Sequence, residues 1–202
     1  MAMHTYDAWI VDLDGTLYRP LGLKLLMAAE LLTEPGAVRV IRAFRREHER
    51  LREEGFTCET GSPFDEQIER TARATALGTE QVRTIALRWM VDRPSRRLRA
   101  FRREGLVEEI ANHRNAGGRT ALVSDYPAEA KLRALDAHSL FDVVVANGEP
   151  GGPCALKPSP AGFLAAATQL GVSPERCLVL GDRDDADGEA ARRAGMSFRL
   201  VR

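Results

Sequence analysis

The most informative part of this sequence is the stretch Trp9-Ile10-Val11-Asp12-Leu13-Asp14-Gly15-Thr16-Leu17. A short apolar run ends in two aspartates two positions apart, and a glycine and a threonine follow. The apolar run predicts a buried strand, yet buried carboxylates are costly unless a cation or hydrogen-bond donors accompany them. Asp-Gly is also ordinary turn chemistry, so this stretch alone fits a strand that runs into a polar turn. The choice depends on whether the remaining chain supplies partners for Asp12 and Asp14.

The composition limits the class of protein. The 202 residues are 44% hydrophobic, which is enough for a buried core, and the length suggests one domain or one domain that carries an insertion. Lys+Arg and Asp+Glu both number 29, and the resulting net charge of zero argues against a general nucleic-acid or membrane-surface binder. No apolar run approaches membrane-spanning length, and the N-terminus lacks the pattern of a signal peptide. Nothing in the sequence indicates an oligomeric state.

The three cysteines, Cys58, Cys154 and Cys177, lie far apart in the sequence. This spacing matches neither a disulfide framework nor a metal-binding knuckle, so we expect reduced thiols. Reduced thiols are typical of the cytoplasm, which is the location that we predict.

Five apolar runs separated by helical patterns predict the core. The predicted strands cover residues 8–13, 120–124, 141–146, 177–180 and 197–201. Strands that alternate with helices predict an α/β, Rossmann-like fold in which a parallel sheet carries helices on both faces.

A long helical stretch interrupts this alternation after the first strand. Apolar residues recur there at three- and four-residue spacing, as in Val38, Ile41 and Phe44, which predicts one face of a helix. The stretch is too long for a tight crossover connection, so we interpret it as an inserted helical cap. We therefore predict a catalytic core of residues 1–17 and 106–202 and a cap of residues 18–105.

Polar residues follow the strands at the edge where open parallel sheets bind ligands, beyond the carboxyl ends. The first predicted strand ends in Asp12 and Asp14, and the second ends in Ser124-Asp125. A Gly/Pro-rich loop after the third strand leads to Lys157-Pro158-Ser159-Pro160. The fourth strand ends in Gly181-Asp182-Arg183-Asp184-Asp185-Ala186-Asp187. One edge therefore combines carboxylates, a hydroxyl and an amine.

These side-chain types fit phosphoryl transfer. Several carboxylates at one edge cannot all stay ionised without a cation, and hard oxygen ligands suit Mg²⁺, which also bridges to phosphate. One carboxylate can attack phosphorus and form an aspartyl-phosphate. A hydroxyl and an ammonium group can hold the phosphate oxygens. A second carboxylate, on the same side of the strand, can protonate the leaving oxygen and later activate water.

The four segments, in this order, resemble the motifs of the haloacid dehalogenase-like hydrolase superfamily. Residues 12–16 resemble its first motif, Ser124 its second, Lys157 its third, and residues 181–187 followed by GEAARRAGM its fourth. The resemblance implies a phosphatase-type member whose helical cap is inserted after the first strand. In this family, the members that displace halide need no acid for a leaving oxygen, and their pattern lacks the second aspartate. The resemblance of Asp14 to this second aspartate therefore favours phosphoryl transfer.

The resemblance also implies roles for the motif residues. Asp12 would be the nucleophile, Asp14 the general acid/base, and Lys157 the residue that orients charge. The implied phosphate-binding residues are Asp12, Gly15, Thr16, Ser124, Asp125 and Lys157. The implied Mg²⁺ ligands are the Asp12 side chain, the Asp14 backbone carbonyl and Asp182. For the second acid of the fourth motif we prefer Asp187, with Asp185 next and Asp184 also possible.

The expected function is therefore a Mg²⁺-dependent phosphomonoester hydrolase that acts on a small phosphorylated metabolite through an aspartyl-phosphate. A sugar phosphomutase shares the first step and stays open as an alternative, as does a non-catalytic binding or regulatory protein. The cap sequence carries no diagnostic motif for the substrate.

Several residues outside the motifs allow two interpretations. Residues 93–103 hold six arginines, which form either a solvated helical face or a surface that binds the anionic substrate. Trp89 and Met90 are predicted to lie in the cap core. The histidines show no metal-ligand spacing, so we interpret all four as structural or surface residues: His4, His48, His113 and His138. The chain has only three lysines, Lys24, Lys131 and Lys157, which makes a lysine at a motif position noticeable.

Overall fold

Five strands form one parallel sheet in the computed structural model, which describes residues 6–202 and leaves His4 outside the described part. The strands are β1 Ala8–Asp12, β2 Arg119–Ser124, β3 Val143–Ala146, β4 Cys177–Gly181 and β5 Ser197–Leu200. Their order across the sheet is β3-β2-β1-β4-β5, and every neighbouring pair is parallel. The five predicted strands and the parallel sheet are confirmed.

The position of β1 at the centre of the sheet assembles one edge. Asp12, the last residue of β1, pairs with Val123 of β2, and Val11 pairs with Leu180 of β4. Because all strands run in the same direction, Ser124 and the residues after Gly181 emerge beside Asp12. The sheet thus collects the polar strand ends that the sequence places up to 170 residues apart.

The cap follows β1 and consists of helices. They are α1 Pro20–Leu31, α2 Pro35–Glu53, α3 Pro63–Thr75, α4 Thr79–Leu87, a π-helical turn Arg88–Asp92, the single turn α5 Arg93–Ser95 and a 3₁₀ turn Leu98–Phe101. Proline in the first turn of α1, α2 and α3 suits a position that lacks a hydrogen-bond acceptor. Phe44, Phe64 and Ile68 are buried in the apolar centre of the cap.

Four further helices cover the two faces of the sheet. They are α6 Glu104–Asn115, α7 Glu129–Ala134, α8 Ala161–Leu170 and α9 Glu189–Arg193, joined by 3₁₀ turns at His138–Leu140 and Pro174–Arg176 and by a π-helical turn Asp184–Gly188. Successive strand residues face opposite sides: Val11 packs with α6 and α7, whereas Ile10 packs with α8 and α9. No helix of residues 6–202 combines the length and the apolarity needed to cross a membrane.

The expectation of reduced thiols is wrong for two of the three cysteines. Cys58, in the cap, and Cys154, in the loop after β3, form a disulfide with their Cα atoms 5.4 Å apart. The two loops meet in an antiparallel bridge between Thr57 and Ala155, which brings together cysteines 96 residues apart. The spacing of the cysteines along the sequence does not predict this contact between the two loops. Cys177 is buried and free.

Candidate active site

The turn after β1 presents Asp12 at the sheet edge. Asp12 is 5% exposed, and Thr16 Oγ1 donates a hydrogen bond to its Oδ2 at 2.8 Å. Gly15 has a φ of +99°, and a Cβ at this position would overlap the carboxylate of Asp182. The turn therefore needs glycine for its backbone conformation and for its close approach to Asp182.

Lys157 lies between two buried carboxylates. Its Nζ donates to Asp12 Oδ1 at 2.5 Å and to Asp187 Oδ1 at 2.7 Å, and all three side chains are under 10% exposed. Burial alone would lower the pKa of Lys157, but the adjacent Asp12 and Asp187 carboxylates raise it well above its usual range. Lys157 is thus an ammonium group held against Asp12.

The loop that carries Lys157 is held from both sides of the site. Asp125 Oδ1 accepts a hydrogen bond from the Lys157 backbone N–H at 3.2 Å. Arg52, on α2 of the cap, donates from Nε to the Lys157 carbonyl at 2.8 Å, and its side chain is 7% exposed. Asp125 is therefore a support for the lysine loop through its carboxylate. Cap and core share the task of placing Lys157.

Three carboxylates converge beside Lys157. One oxygen from each of Asp12, Asp182 and Asp187 lies within 4.8 Å of the other two. Burial and the neighbouring Asp187 raise the pKa of Asp12 despite Lys157, and the same two causes raise the pKa of Asp182. A divalent cation would offset this surplus of negative charge, and carboxylate oxygens are the donors that Mg²⁺ prefers. The residues present therefore fit a metal site.

The fourth-motif aspartates differ sharply in burial. Asp187 is 2% exposed, and its Oδ2 accepts the Arg183 backbone N–H at 3.1 Å. The Asp184 and Asp185 side chains are 64% and 67% exposed and pair with surface arginines. Of the three candidates, Asp187 is the one that lies at the carboxylate cluster.

Asp14 points to a different set of partners. Lys131 Nζ lies 2.7 Å from each Asp14 carboxylate oxygen, and the Tyr18 hydroxyl donates to Asp14 Oδ1 at 2.6 Å. Burial alone would raise the pKa of Asp14, but Lys131 and then the Tyr18 hydrogen bond bring it below its usual value. Asp14 is therefore a carboxylate with an ammonium group of its own.

Ser124 ends β2 at the same edge and is 2% exposed. Its Oγ accepts the Tyr126 backbone N–H at 3.2 Å, which leaves the hydroxyl hydrogen available for another acceptor. The predicted site residues therefore gather at one edge of the sheet.

A cavity of about 370 Å³ lies between this edge and the cap. Core residues on its wall include Asp14, Lys131 and Asp182, and cap residues include Lys24, Met27, Arg45, His48, Trp89 and Met90. His48 is 7% exposed and stacks on Tyr126 with ring centroids 4.7 Å apart. Burial lowers the pKa of His48, so a neutral imidazole forms part of the cavity roof.

None of the six arginines of residues 93–103 lines this cavity, although Pro94 does. Arg93 and Arg97 pair with the cap residues Glu34 and Glu30, and Arg99 pairs with Asp136. The ion-paired face is therefore the better interpretation of residues 93–103. Trp89 is 5% exposed and lies in the cap core as predicted, although it also borders the cavity with Met90.

Sequence reasoning missed Lys131, Tyr18, Tyr126 and His48 as neighbours of the site. The scarcity of lysine was the available signal, because all three lysines of the chain lie at the site or on its cavity wall: Lys24, Lys131 and Lys157. The 26 arginines gave no comparable signal (29 basic residues less three lysines).

The parallel sheet, the helical cap and the acidic, lysine-containing edge define a capped α/β enzyme fold. Residues 6–195 match the sequence profile described as "Hydrolase: haloacid dehalogenase-like hydrolase". Since this match covers most of the chain, the protein belongs to the haloacid dehalogenase-like hydrolase family.

Individual relatives agree with this membership over shorter stretches. A glyceraldehyde 3-phosphate phosphatase of Methanopyrus kandleri is 46% identical over 66 residues, 33% of this chain and 27% of that protein. A phosphoglycolate phosphatase of Aquifex aeolicus is 38% identical over 91 residues, 44% of this chain and 41% of that protein. The chain thus matches less than half the length of either curated relative.

A solved structure gives the same fold over nearly the whole chain. The L-2-haloacid dehalogenase of Xanthobacter autotrophicus with chloropropionic acid covalently bound superposes with a TM-score of 0.67 at 17% identity. The superposition covers 97% of this chain and 77% of the other. At this identity the likeness concerns the fold alone.

Proposed function

We propose that this protein is a Mg²⁺-dependent phosphomonoester hydrolase that forms an aspartyl-phosphate on Asp12. The observation that carries the proposal is Lys157 held between Asp12 and Asp187 at the edge where Asp182 also converges. An ammonium group at this place can stabilise both the buried nucleophile and the phosphoryl oxygens that approach it. The domain bounds of 1–17 with 106–202 for the core and 18–105 for the cap belong to the same proposal.

Each proposed role follows from a side chain at the site. Asp12 attacks phosphorus, while Lys157 and the Ser124 hydroxyl hold the phosphoryl oxygens. In the substrate complex, where the phosphate adds negative charge beside Asp14, Asp14 takes up a proton and gives it to the leaving oxygen. As a carboxylate it then takes a proton from the water that hydrolyses the aspartyl-phosphate, which restores the protonated acid for the next turnover. Asp12, the Asp14 backbone carbonyl and Asp182 would hold Mg²⁺, and Asp187 fixes Lys157. Bound Mg²⁺ supplies charge neutralisation for the phosphoryl group.

The size of the cavity supports a small substrate. A volume of about 370 Å³ lies at the low end of the usual range for small-molecule sites. The names of both curated relatives also refer to small phosphorylated metabolites. The second aspartate of the first motif, Asp14, favours phosphoryl transfer over halide displacement.

The test is a screen of phosphorylated metabolites with Mg²⁺, read as release of inorganic phosphate. Asp12→Asn should abolish turnover, because an amide cannot form the aspartyl-phosphate. Asp185→Asn is the matched control, since this aspartate belongs to the same edge but is exposed and pairs with Arg183. Near-normal turnover by Asp12→Asn would contradict the mechanism. Conversion of a sugar phosphate to its isomer without phosphate release would instead identify a phosphomutase.

A further inference from the structure

Lys131 is a buried lysine that the proposed reaction does not use. It is 3% exposed and contacts both carboxylate oxygens of Asp14 at 2.7 Å. Within residues 6–202, Asp14 is the only carboxylate in ion-pair range of Lys131. Lys157 serves Asp12 and Asp187 in the same way, so each of the two aspartates of the first motif has its own lysine.

The helix that carries Lys131 is fixed to the core at its first turn. Glu149 Oε1, from the loop after β3, accepts the backbone N–H groups of Ala128 and Glu129 at 2.8 and 2.9 Å. A carboxylate at this position satisfies donors that the first turn of a helix leaves free. The ammonium group of Lys131 therefore reaches Asp14 from a fixed backbone.

The cap covers the Lys131–Asp14 pair. Lys131 Nζ lies 5.6 Å from the centre of the Tyr126 ring, and His48 of the cap stacks on this same ring. A buried ion pair adds little net stability over apolar residues of similar size, because both charges lose their hydration. Stability alone is thus a poor reason for placing one of three lysines of the chain here.

We propose that Lys131 is a positioning residue that holds the Asp14 carboxyl group in the orientation needed for proton transfer to the leaving oxygen. This inference rests on the proposed phosphatase function. The bidentate contact fixes the rotation of the carboxyl group, and the Tyr18 hydroxyl donates a further hydrogen bond to one of its oxygens. Loss of Lys131 frees this rotation, which slows protonation of the leaving oxygen and activation of water, the two events that need Asp14. Attack by Asp12 on an ester whose leaving group needs no proton is spared.

The leaving group separates these two steps. Nitrophenolate leaves without a proton, whereas an alkoxide needs one, so Asp14 matters much more for an alkyl phosphate. The probes are p-nitrophenyl phosphate and the best alkyl phosphomonoester from the metabolite screen. The measured quantity is kcat/KM, which reports the first step alone, because hydrolysis of the aspartyl-phosphate is common to both esters. Lys131→Met should lower kcat/KM about 100-fold on the alkyl ester, in keeping with the contribution of a general acid, and less than about threefold on p-nitrophenyl phosphate.

Four further variants complete the design. Asp14→Asn should show the same selectivity, and adding Lys131→Met to it should cause no further loss on the alkyl ester. Lys131→Arg, which keeps a bidentate cation, should recover alkyl turnover relative to Lys131→Met. Lys24→Met is the control, because Lys24 lies on the wall of the same cavity and makes no ion pair within the described residues. It should change both substrates alike.

The outcomes decide separately on this inference and on the proposed function. The positioning role is supported if Lys131→Met loses at least about tenfold more kcat/KM on the alkyl ester than on p-nitrophenyl phosphate. A smaller ratio of the two losses overturns it. Circular dichroism checks the fold, and Lys131→Gln is judged by the same ratio if Lys131→Met does not fold. Wild-type protein that hydrolyses neither ester with Mg²⁺ refutes the proposed function itself.

Discussion

Removal of the Lys157 ammonium group should destabilise the folded protein as well as inactivate it. The Lys157 side chain is 8% exposed and faces carboxylates at 2.5 and 2.7 Å, themselves 7% and 3% exposed. Two carboxylates and one ammonium group sum to one negative charge, and Lys157→Met leaves two. Breaking a buried pair in this way typically costs about 3–5 kcal/mol. This is a large part of the total stability of a domain, which is roughly 5–15 kcal/mol.

A second substitution tests the electrostatic cause. Asp187→Asn, added to Lys157→Met, returns the cluster to a single negative charge. The double variant should therefore be more stable than Lys157→Met alone, although a second core side chain has changed. Two substitutions at unrelated sites normally lower the stability by the sum of their separate losses. A double variant that is more stable than Lys157→Met would therefore show that the two residues interact through their charges.

The assay is urea unfolding at pH 7 in the presence of a chelator, followed by circular dichroism. Lys24→Met serves as control and should stay within about 0.5 kcal/mol of the wild type, because Lys24 is exposed. A loss below about 1 kcal/mol for Lys157→Met would contradict this expectation, since the two buried carboxylates would then be tolerated without their partner. A further loss in the double variant would also refute it.

Three other perturbations give distinct results. Gly15→Ala should lower Mg²⁺-dependent turnover at least about tenfold, because the new methyl group overlaps Asp182. The control is Gly117→Ala, where φ is +91° and the new methyl group meets open space. This control should cost only about 1–2 kcal/mol of stability and leave the activity unchanged. Asp14→Asn should be less stable than wild type at neutral pH. Because folding lowers the pKa of Asp14 from 3.8, this difference is present above pH 3.8 and should shrink as the pH falls through the folded-state pKa, which melting curves from pH 6 to pH 3 would show. Arg97→Gln should leave KM and its salt dependence unchanged, since its guanidinium pairs with a cap glutamate; a raised KM would revive a substrate role for the arginine stretch.

Much of the fold could be predicted from the sequence because its signals are local. Each strand is an apolar run bounded by turn residues, as expected for strands that are buried on both faces of a parallel sheet. The first-motif aspartates were identifiable because a carboxylate directly after such a run is unusual. Cap helix α2 was identifiable from apolar residues such as Phe44, which repeat at helical spacing and are buried.

The contacts that could not be predicted join distant segments through side chains. The pair of Lys131 and Asp14 spans 117 residues, and the disulfide spans 96. Neither leaves a periodic or compositional signal, because each depends on how the loops meet in three dimensions. The preference for Asp187 over Asp185 came from the family resemblance, and the π-helical turn, which buries Asp187 and exposes Asp185, supplies its physical reason.

The central place of β1 has a consequence for the order in which the newly made chain can fold. Ala8 pairs with Arg119 on one side and Cys177 on the other, so the first strand has high contact order. At synthesis rates of about 5–20 residues per second, roughly 10–30 s pass between the emergence of β1 and that of β4. The cap helices lie between these two strands in the sequence, so all residues of their apolar centre are synthesised before β4. Of the five strands, the one that bears the proposed nucleophile is thus synthesised first, but it has both of its neighbours in the sheet only after β4 has been made.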